Sequence, residues 1–293
     1  MDVALRKIVP LLLLGSFLLG AAPAKMGIFA LQSGAPRTSG HLIVHAVHGH
    51  PLVRQLDFWM TRNGFATPIH RYDTDMTKLL HGVIVSDDFT TFMHVHPTLF
   101  PNGHFRLDQR FPRAARYLIY ADGEPTGIGQ QVFRFDLTVG SAPSKVARDL
   151  RSNGRSTTAG PYTVTLNRLN LATHGETLLL LHVLRHGKLA GDLHPYLGTL
   201  GHGVFLNAKD LTYVHVHPMA LDAGHTPSVT SHSAAMPTGS DMDMHASPLP
   251  PNAVTSPSML LHIAVREPGT YKLWFQFRGG DALCVASFVL TAT

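Results

Sequence analysis

Histidine is the residue type in this sequence with the clearest capacity for chemistry. The 293 residues include 20 His and 10 Met but a single Cys, Cys284. Imidazole and thioether groups bind copper and other transition metals, whereas zinc sites built on two or four thiolates need more cysteines than one chain supplies here. A metal site in this protein would therefore use His, Met or carboxylate ligands, and copper suits that set better than zinc.

Six of the histidines lie in two copies of one motif. Residues 81–97 read HGVIVSDDFTTFMHVHP, and residues 202–218 read HGVFLNAKDLTYVHVHP. Each copy is 17 residues long, and the two copies align without a gap at an offset of 121 residues. Because self-similarity of this kind indicates a duplicated structural unit, the sequence predicts two domains of the same type.

In the first copy, strand geometry predicts a cluster of three imidazoles. Side chains alternate between the faces of a strand, so His94 and His96 share a face. A hairpin turn centred between Asp87 and Asp88 would set His81 directly opposite His94, with Cβ atoms about 5 Å apart. We therefore predict a metal site formed by His81, His94 and His96.

The second copy repeats this arrangement. His215 and His217 share a strand face, and a turn at residues 208–209 would set His202 opposite His215. Three histidine ligands leave one coordination position open, and such a site either exchanges its metal or acts on a substrate. The alternative is that the histidines of both copies only hydrogen-bond to one another and to the backbone.

Two other segments carry candidate ligands. Asp192 and His194, just upstream of the second copy, could add a ligand or accept a hydrogen bond from an imidazole. Residues 222–257 interrupt the second copy with a Pro-, Ser- and Thr-rich insert that is either a capture segment for copper or an inert low-complexity stretch. We count three of its side chains among the candidate metal ligands: Met242, Met244 and His245.

The elements that must position these residues are short strands. Segments rich in Val, Leu, Phe, Tyr and Thr alternate with Gly, Pro, Asn and Asp, which is typical of antiparallel sheets. We predict an all-β fold of two tandem immunoglobulin- or cupredoxin-like antiparallel β-sandwich domains. The repeats would span residues 41–140 and 161–293, with a polar linker at 141–160.

The beginning of the chain predicts a destination outside the cytoplasm. Arg6 and Lys7 precede an apolar run at residues 8–20, and small residues follow, so we interpret residues 1–24 as a secretory signal peptide. The protein would then be periplasmic or secreted, and it would contact a membrane only through this segment if it stayed uncleaved. The net charge of +5 is spread thinly, so nucleic-acid binding is disfavoured.

The two HG…HVHP copies, followed by RYLIYAD and YKLWFQF, resemble a family of bacterial secreted or periplasmic, His-rich, heavy-metal-associated proteins. Their domains are similar to the immunoglobulin-like modules of periplasmic copper-handling proteins. The resemblance implies copper binding or tolerance, with His202, His215 and His217 at the motif positions. It implies nothing about a catalytic reaction.

We therefore expect a non-enzymatic copper-binding protein whose partners are the metal ion and a periplasmic or membrane metal-transport protein. A second hypothesis is a metal-dependent oxidoreductase of dismutase or oxidase type, which would use the open coordination position. A third is a structural β-sandwich protein without metal.

Overall fold

The computed structural model describes residues 26–29, 37–143, 146–221 and 248–293. No helix in these ranges is long and apolar enough to cross a membrane. The predicted leader at residues 1–24 lies outside the described residues, as do the candidate ligands Met242, Met244 and His245.

Strands β1 to β10 build the N-terminal sandwich. Their bounds are β1 Met26–Phe29, β2 Thr38–Val47, β3 His50–Arg62, β4 Tyr72–Asp73, β5 Leu80–Ser86, β6 Phe92–Val95, β7 Thr98–Leu99, β8 Phe105–Arg110, β9 Ala115–Pro125 and β10 Gln131–Val139.

Strands β11 to β22 build the C-terminal sandwich. Their bounds are β11 Ser156–Ala159, β12 Tyr162–Leu166, β13 Asn170–Leu171, β14 Thr177–Arg185, β15 Lys188–Leu189, β16 Leu193–His194, β17 His202–Asn207, β18 Tyr213–Val216, β19 Met219–Ala220, β20 Ser258–Ile263, β21 Gly269–Gly279 and β22 Ala282–Ala292.

Each sandwich has an inner sheet, which faces the other sandwich, and an outer sheet. The inner sheets have the orders β1-β10-β9-β5-β6, with β4 beside β9, and β13-β22-β21-β17-β18, with β16 beside β21. The outer sheets are β2-β3-β8-β7 and β11-β12-β14-β20-β19, with β15 beside β14. Neighbouring strands of the described residues are antiparallel, apart from the short β13–β22 pair. The predicted all-β fold of two tandem antiparallel sandwiches is confirmed.

The inner strands β5 and β17 are buried on both faces. Ile84 on β5 and Phe205 on β17 point into the cores of their own sandwiches. Alternate residues on the same strands point the other way and join one apolar cluster between the sandwiches: Val83, Val85, Phe89, Leu118, Tyr120, Val132, Val204, Leu206, Tyr213 and Trp274. The two inner sheets therefore pack face to face, and the motif histidines lie on these facing surfaces.

A tyrosine at equivalent places in both sandwiches fixes the strand next to the motif. The Tyr117 hydroxyl donates to the Arg113 carbonyl, and the Tyr271 hydroxyl donates to the Glu267 carbonyl, each at 2.8 Å. A tyrosine that bonds back to the backbone a few residues upstream is a feature of immunoglobulin-like sandwiches. These bonds hold the starts of β9 and β21, the strands that flank β5 and β17.

The segment predicted as a linker contacts both sandwiches. Arg148 forms an ion pair with Asp87 at 3.2 Å and donates a hydrogen bond to the Ala208 carbonyl. Leu150 packs against the apolar cluster between the sandwiches. Strand β11 also lies within the range predicted as linker, because its residues pair with β12 at the edge of the outer sheet.

Shortening an apolar side chain between the sandwiches should destabilise the protein as strongly as a core truncation. Leu206 is fully buried in this cluster, so Leu206→Ala should lower the free energy of unfolding by about 2–5 kcal/mol. Leu178→Ala is the matched control because Leu178 is exposed on β14, and it should change stability by about 0.5 kcal/mol or less. Urea denaturation measures both, and equal effects would contradict the packed interface.

Candidate metal centre

In each hairpin that carries the histidines, the two strands pair in a register shifted by two residues from the predicted one. The observed partners are Val83 with His94 and Val204 with His215. The prediction that His81 and His202 directly oppose these histidines was wrong, because each turn is longer than expected and includes a left-handed residue, Phe89 (φ 60°) or Leu211 (φ 66°). A shift of two residues preserves strand alternation, so all three histidines of each copy still share one face.

The histidines of the two copies lie close together because they are on the surfaces of the inner sheets that face each other. The ring centroids of His81 and His215 lie 5.1 Å apart, and those of His94 and His202 lie 4.8 Å apart. These distances across the interface match the distances of 5.2 and 5.4 Å within the copies. The structure therefore joins the two predicted three-histidine sites into one cluster.

The centre of the cluster is a four-imidazole site formed by His81, His94, His202 and His215, whose ligand nitrogens all lie within 4.8 Å of one another. His81 Nδ1 is 3.0 Å from His94 Nε2, and His202 Nδ1 is 3.2 Å from His215 Nε2. Nitrogens that bind one ion at about 2.0–2.1 Å lie about 3 to 4 Å from each other. These four imidazoles could hold a single metal ion.

The first histidine of each copy directs its outer nitrogen at the backbone. His81 Nε2 donates to the Asp75 carbonyl at 3.3 Å, and His202 Nε2 donates to the Tyr196 carbonyl at 3.2 Å. Asp75 and Tyr196 precede their histidines by the same number of residues, so the two loops make the same contact in both copies. Each carbonyl fixes the hydrogen of its ring on Nε2.

The second histidine of each copy directs its outer nitrogen at a side chain of the other sandwich. His94 Nδ1 donates to Gln276 Oε1 at 3.1 Å, and His215 Nδ1 faces Asp122 Oδ2 at 3.5 Å. Asp122 and Gln276 occupy equivalent positions on β9 and β21, each paired with the first histidine of its own copy. The two sandwiches thus orient each other's histidines.

These four outer contacts determine where the lone pairs of the rings point. A neutral imidazole carries one N–H and one lone pair, and the outer partners are two carbonyls, an amide oxygen and the Asp122 carboxyl group, which is an acceptor in its ionised form. When each ring turns its N–H to this outer partner, its lone pair faces the other three rings. Lone pairs that face one another at about 3 Å repel unless a cation lies between them, and metal-bound histidines make outer contacts of this kind.

Burial keeps the four rings in the neutral form that binds metal. The pKa values of His94, His202 and His215 are well below 6.5, mainly because burial penalises the charged form and then because of neighbouring imidazoles. The pKa of His81 is lowered for the same first reason, although the Asp75 carboxylate raises it in part. At neutral pH these rings are uncharged.

The Asp122 carboxyl is the buried acid of the site. Burial first, and then the Asp75 charge, raise its pKa to about 7. Gln130 Nε2 donates to it at 2.9 Å, and the Tyr213 hydroxyl donates at 3.4 Å. A cation bound by His215 would favour the carboxylate form, which then accepts the hydrogen bond from that ring.

His96 and His217 flank the four-imidazole site. Their ring centroids lie 4.6 Å from His94 and 4.8 Å from His215. The Nε2 atoms of both are buried and have no hydrogen-bond partner among the described residues. Burial, followed by the charges of His81 and Lys78, lowers the pKa of His96 to about 3.

The structure places the upstream candidates Asp192 and His194 elsewhere. Asp192 accepts hydrogen bonds from the Tyr162 hydroxyl at 2.7 Å and from Arg185. His194 Nδ1 donates to the Ala253 carbonyl at 3.2 Å. Neither residue belongs to the groups of described side chains whose ligand atoms lie close enough to share an ion.

Sequence reasoning missed the groups that orient the rings, namely Asp75, Asp122 and Gln276. A usable signal existed for two of them: Asp122 and Gln276 are polar residues within largely apolar stretches of β9 and β21, each two residues after an aromatic residue on the same face. Comparison of the copies could not single out Asp75, because Tyr196 stands at the equivalent place and the shared contact comes from the backbone.

Comparison with known proteins adds little beyond the second sandwich. Residues 156–293 match a domain of unknown function, DUF8832, and a search of curated proteins finds no match. A mutant Salmonella alpha-2-macroglobulin is similar at 10% identity and a TM-score of 0.21, over 89% of this chain and 15% of that one. A glycosyl hydrolase family 2 member from Bacteroides cellulosilyticus is similar at 7% identity and a TM-score of 0.21, over 88% and 29%.

The lowered pKa values predict that metal-free protein loses stability in acid. Below about pH 6.5 these histidines bind protons in the unfolded chain but stay neutral in the folded protein. The free energy of unfolding should therefore fall as the pH drops toward 3. His96→Gln should reduce this slope by up to about 1.4 kcal/mol per pH unit. Denaturant titrations between pH 7.5 and 4.5 measure the slope.

The exposed His174 provides the control for that experiment. His174→Gln should leave the slope of the wild type unchanged. A slope that is the same in wild type and His96→Gln would contradict a buried, neutral His96.

Proposed function

We propose that this protein binds one transition-metal ion between its two sandwiches and that the ion is copper. The observation that carries the proposal is the convergence of four ring nitrogens, two from each copy of the motif, while the outer nitrogen of each ring faces an oxygen atom. A cluster of histidines that served only to hydrogen-bond would alternate donors with acceptors instead.

The number of ligands favours binding over catalysis. Four nitrogens satisfy a four-coordinate ion, as in closed structural sites, whereas catalytic sites keep one position for water or substrate. His81, His94 and His202 are also almost completely buried. We therefore favour metal binding and handling over the dismutase-like or oxidase-like alternative.

Ligand chemistry favours copper over zinc. Imidazole suits both ions, but divalent copper forms the more stable complexes with a given set of nitrogen ligands. The sequence of the insert at residues 222–257 adds thioethers, which favour Cu(I). Zinc is the competitor that a binding experiment must include.

The leader-like sequence at residues 1–24 supports a periplasmic or secreted location. Copper ions in such a compartment pass between proteins by ligand exchange, so we propose a periplasmic or membrane metal-transport protein as the partner.

If the two copies of the motif share one site, both copies are required for copper binding. After loading with Cu(II) and gel filtration, the wild type should retain one copper ion per chain by elemental analysis. His94→Ala and His215→Ala should each reduce retention below about one fifth of the wild-type value, since each removes one of four ligands. The exposed His174→Ala is the control and should retain one ion.

Other results of this experiment would point to other functions. Two ions in the wild type, with one left in each variant, would indicate separate sites. Retention of neither copper nor zinc by the wild type would contradict the proposal and favour a structural sandwich.

The acceptor that orients His215 should tune affinity without being a ligand. Asp122→Asn keeps the shape but removes the charge, so the dissociation constant for Cu(II) should rise about 10- to 100-fold. Asp192→Asn is the matched control because Asp192 pairs with Arg185 away from the cluster. Competition against a chelator measures both constants, and equal constants for the two variants would contradict the assigned role of Asp122.

A further inference from the structure

Two side chains connect the four-imidazole site to solvent. The Asp75 carboxylate is 30% exposed and the His217 ring 17% exposed, whereas the His81 and His215 side chains are only 1% exposed. Exposure therefore decreases in steps from Asp75 through His217 to His215. An ion that reaches the four-imidazole site from this side must pass the first two groups.

These same groups form a second possible set of ligands. One ligand atom each of Asp75, His215 and His217 lies within 4.8 Å of the other two. Asp75 Oδ1 is 3.8 Å from His217 Nδ1, and Asp75 Oδ2 is 3.6 Å from His81 Nε2. Because the buried His217 Nε2 has no partner among the described residues, this ring has a nitrogen to offer an ion.

The four-imidazole site and the outer set share His215, so they cannot both bind an ion through it at the same time. Its Nδ1 faces Asp122, so its single lone pair is on Nε2. One lone pair binds one ion, so the four-imidazole site and the outer set compete for it. Two cations this close together would also repel each other strongly.

The other approaches to the cluster are less suited to a cation. The Tyr196 ring lies edge-on against His202, with centroids 5.4 Å apart, and a neutral phenol stands there in place of the carboxylate of Asp75. The positive charge of Lys78 lowers the pKa values of both His96 and His81, and beside His81 the Asp75 carboxylate opposes that effect. Asp75 is the carboxylate beside His217, and it would attract a hydrated cation.

We infer that Asp75, His217 and His215 form an outer site through which a divalent cation loads the four-imidazole site. The inference rests on the proposed function. The ion first exchanges water for Asp75, His217 and His215, and then exchanges the first two for the buried imidazoles while His215 stays bound. No electron is transferred, and the water is released to solvent. Asp75 acts on the rate of loading and is not a ligand of the final complex.

Stopped-flow quenching of tryptophan fluorescence by Cu(II) alone tests this inference on the metal-free full chain. Trp274, packed in the cluster between the sandwiches, is the reporter. Asp75→Asn should slow loading at least tenfold and still retain one copper ion per chain, and Asp75→Glu should restore most of the rate. Asp73→Asn is the matched control, because Asp73 lies two residues away and bonds to Thr126.

The outcomes separate this inference from the proposed function. Loading of Asp75→Asn at the wild-type rate would overturn the outer site and leave copper binding intact. Complete loss of copper from Asp75→Asn would also overturn it, because Asp75 would then be a resident ligand. A wild type that retains no copper would instead overturn the proposed function.

Discussion

The burial of strands β5 and β17 on both faces is the constraint on which the site depends. A strand in a sandwich normally turns one face to its core and the other to water. Here the second face is covered by the other sandwich, and the motif histidines lie on it beside Val83 and Val204. Buried imidazoles cost free energy unless both nitrogens find a partner. The outer nitrogens of the central four face oxygen atoms, and the metal ion that we propose would satisfy the inner ones.

Duplication explains the near-symmetry of the site, and divergence explains its charge. The two copies contribute matching rings and matching backbone carbonyls, but only the first contributes carboxylates. Asp75 and Asp122 stand where the second copy has Tyr196 and Gln276. Four neutral imidazoles bring no charge, so the buried Asp122 carboxylate would offset part of the charge of the divalent cation that we propose, in a medium that screens charge poorly. The asymmetry also places the exposed carboxylate on one side of the cluster.

The sequence predicts the fold and the shared face of the histidines well, because both follow from local periodicity. Strand alternation has a period of two, so the conclusion that His81, His94 and His96 share a face survived an error of two residues in register. The error came from bulky residues, Phe89 and Leu211, in left-handed turn positions that favour glycine or asparagine.

The sequence pattern of each copy could not predict that the two histidine clusters form one site, because this depends on how the two sandwiches pack. Apolar residues that share the strand face of the histidines, such as Val83 and Val204, are typical of an inward surface, and alternation alone does not say which surface covers it. The same limit applies to Gln276, whose partner His94 lies far away in the sequence and in the other sandwich. Asp192 and His194 were attractive for their proximity in sequence, yet their side chains bond to Arg185 and to the Ala253 carbonyl.

Anomalous X-ray diffraction from copper-loaded crystals tests the central claim most directly, because it locates the ion. The account predicts one strong peak between the two inner sheets, about 2.0 Å from His81 Nδ1, His94 Nε2, His202 Nδ1 and His215 Nε2. Two peaks, each bound by the histidines of one sandwich, or a peak away from all four rings, would contradict it.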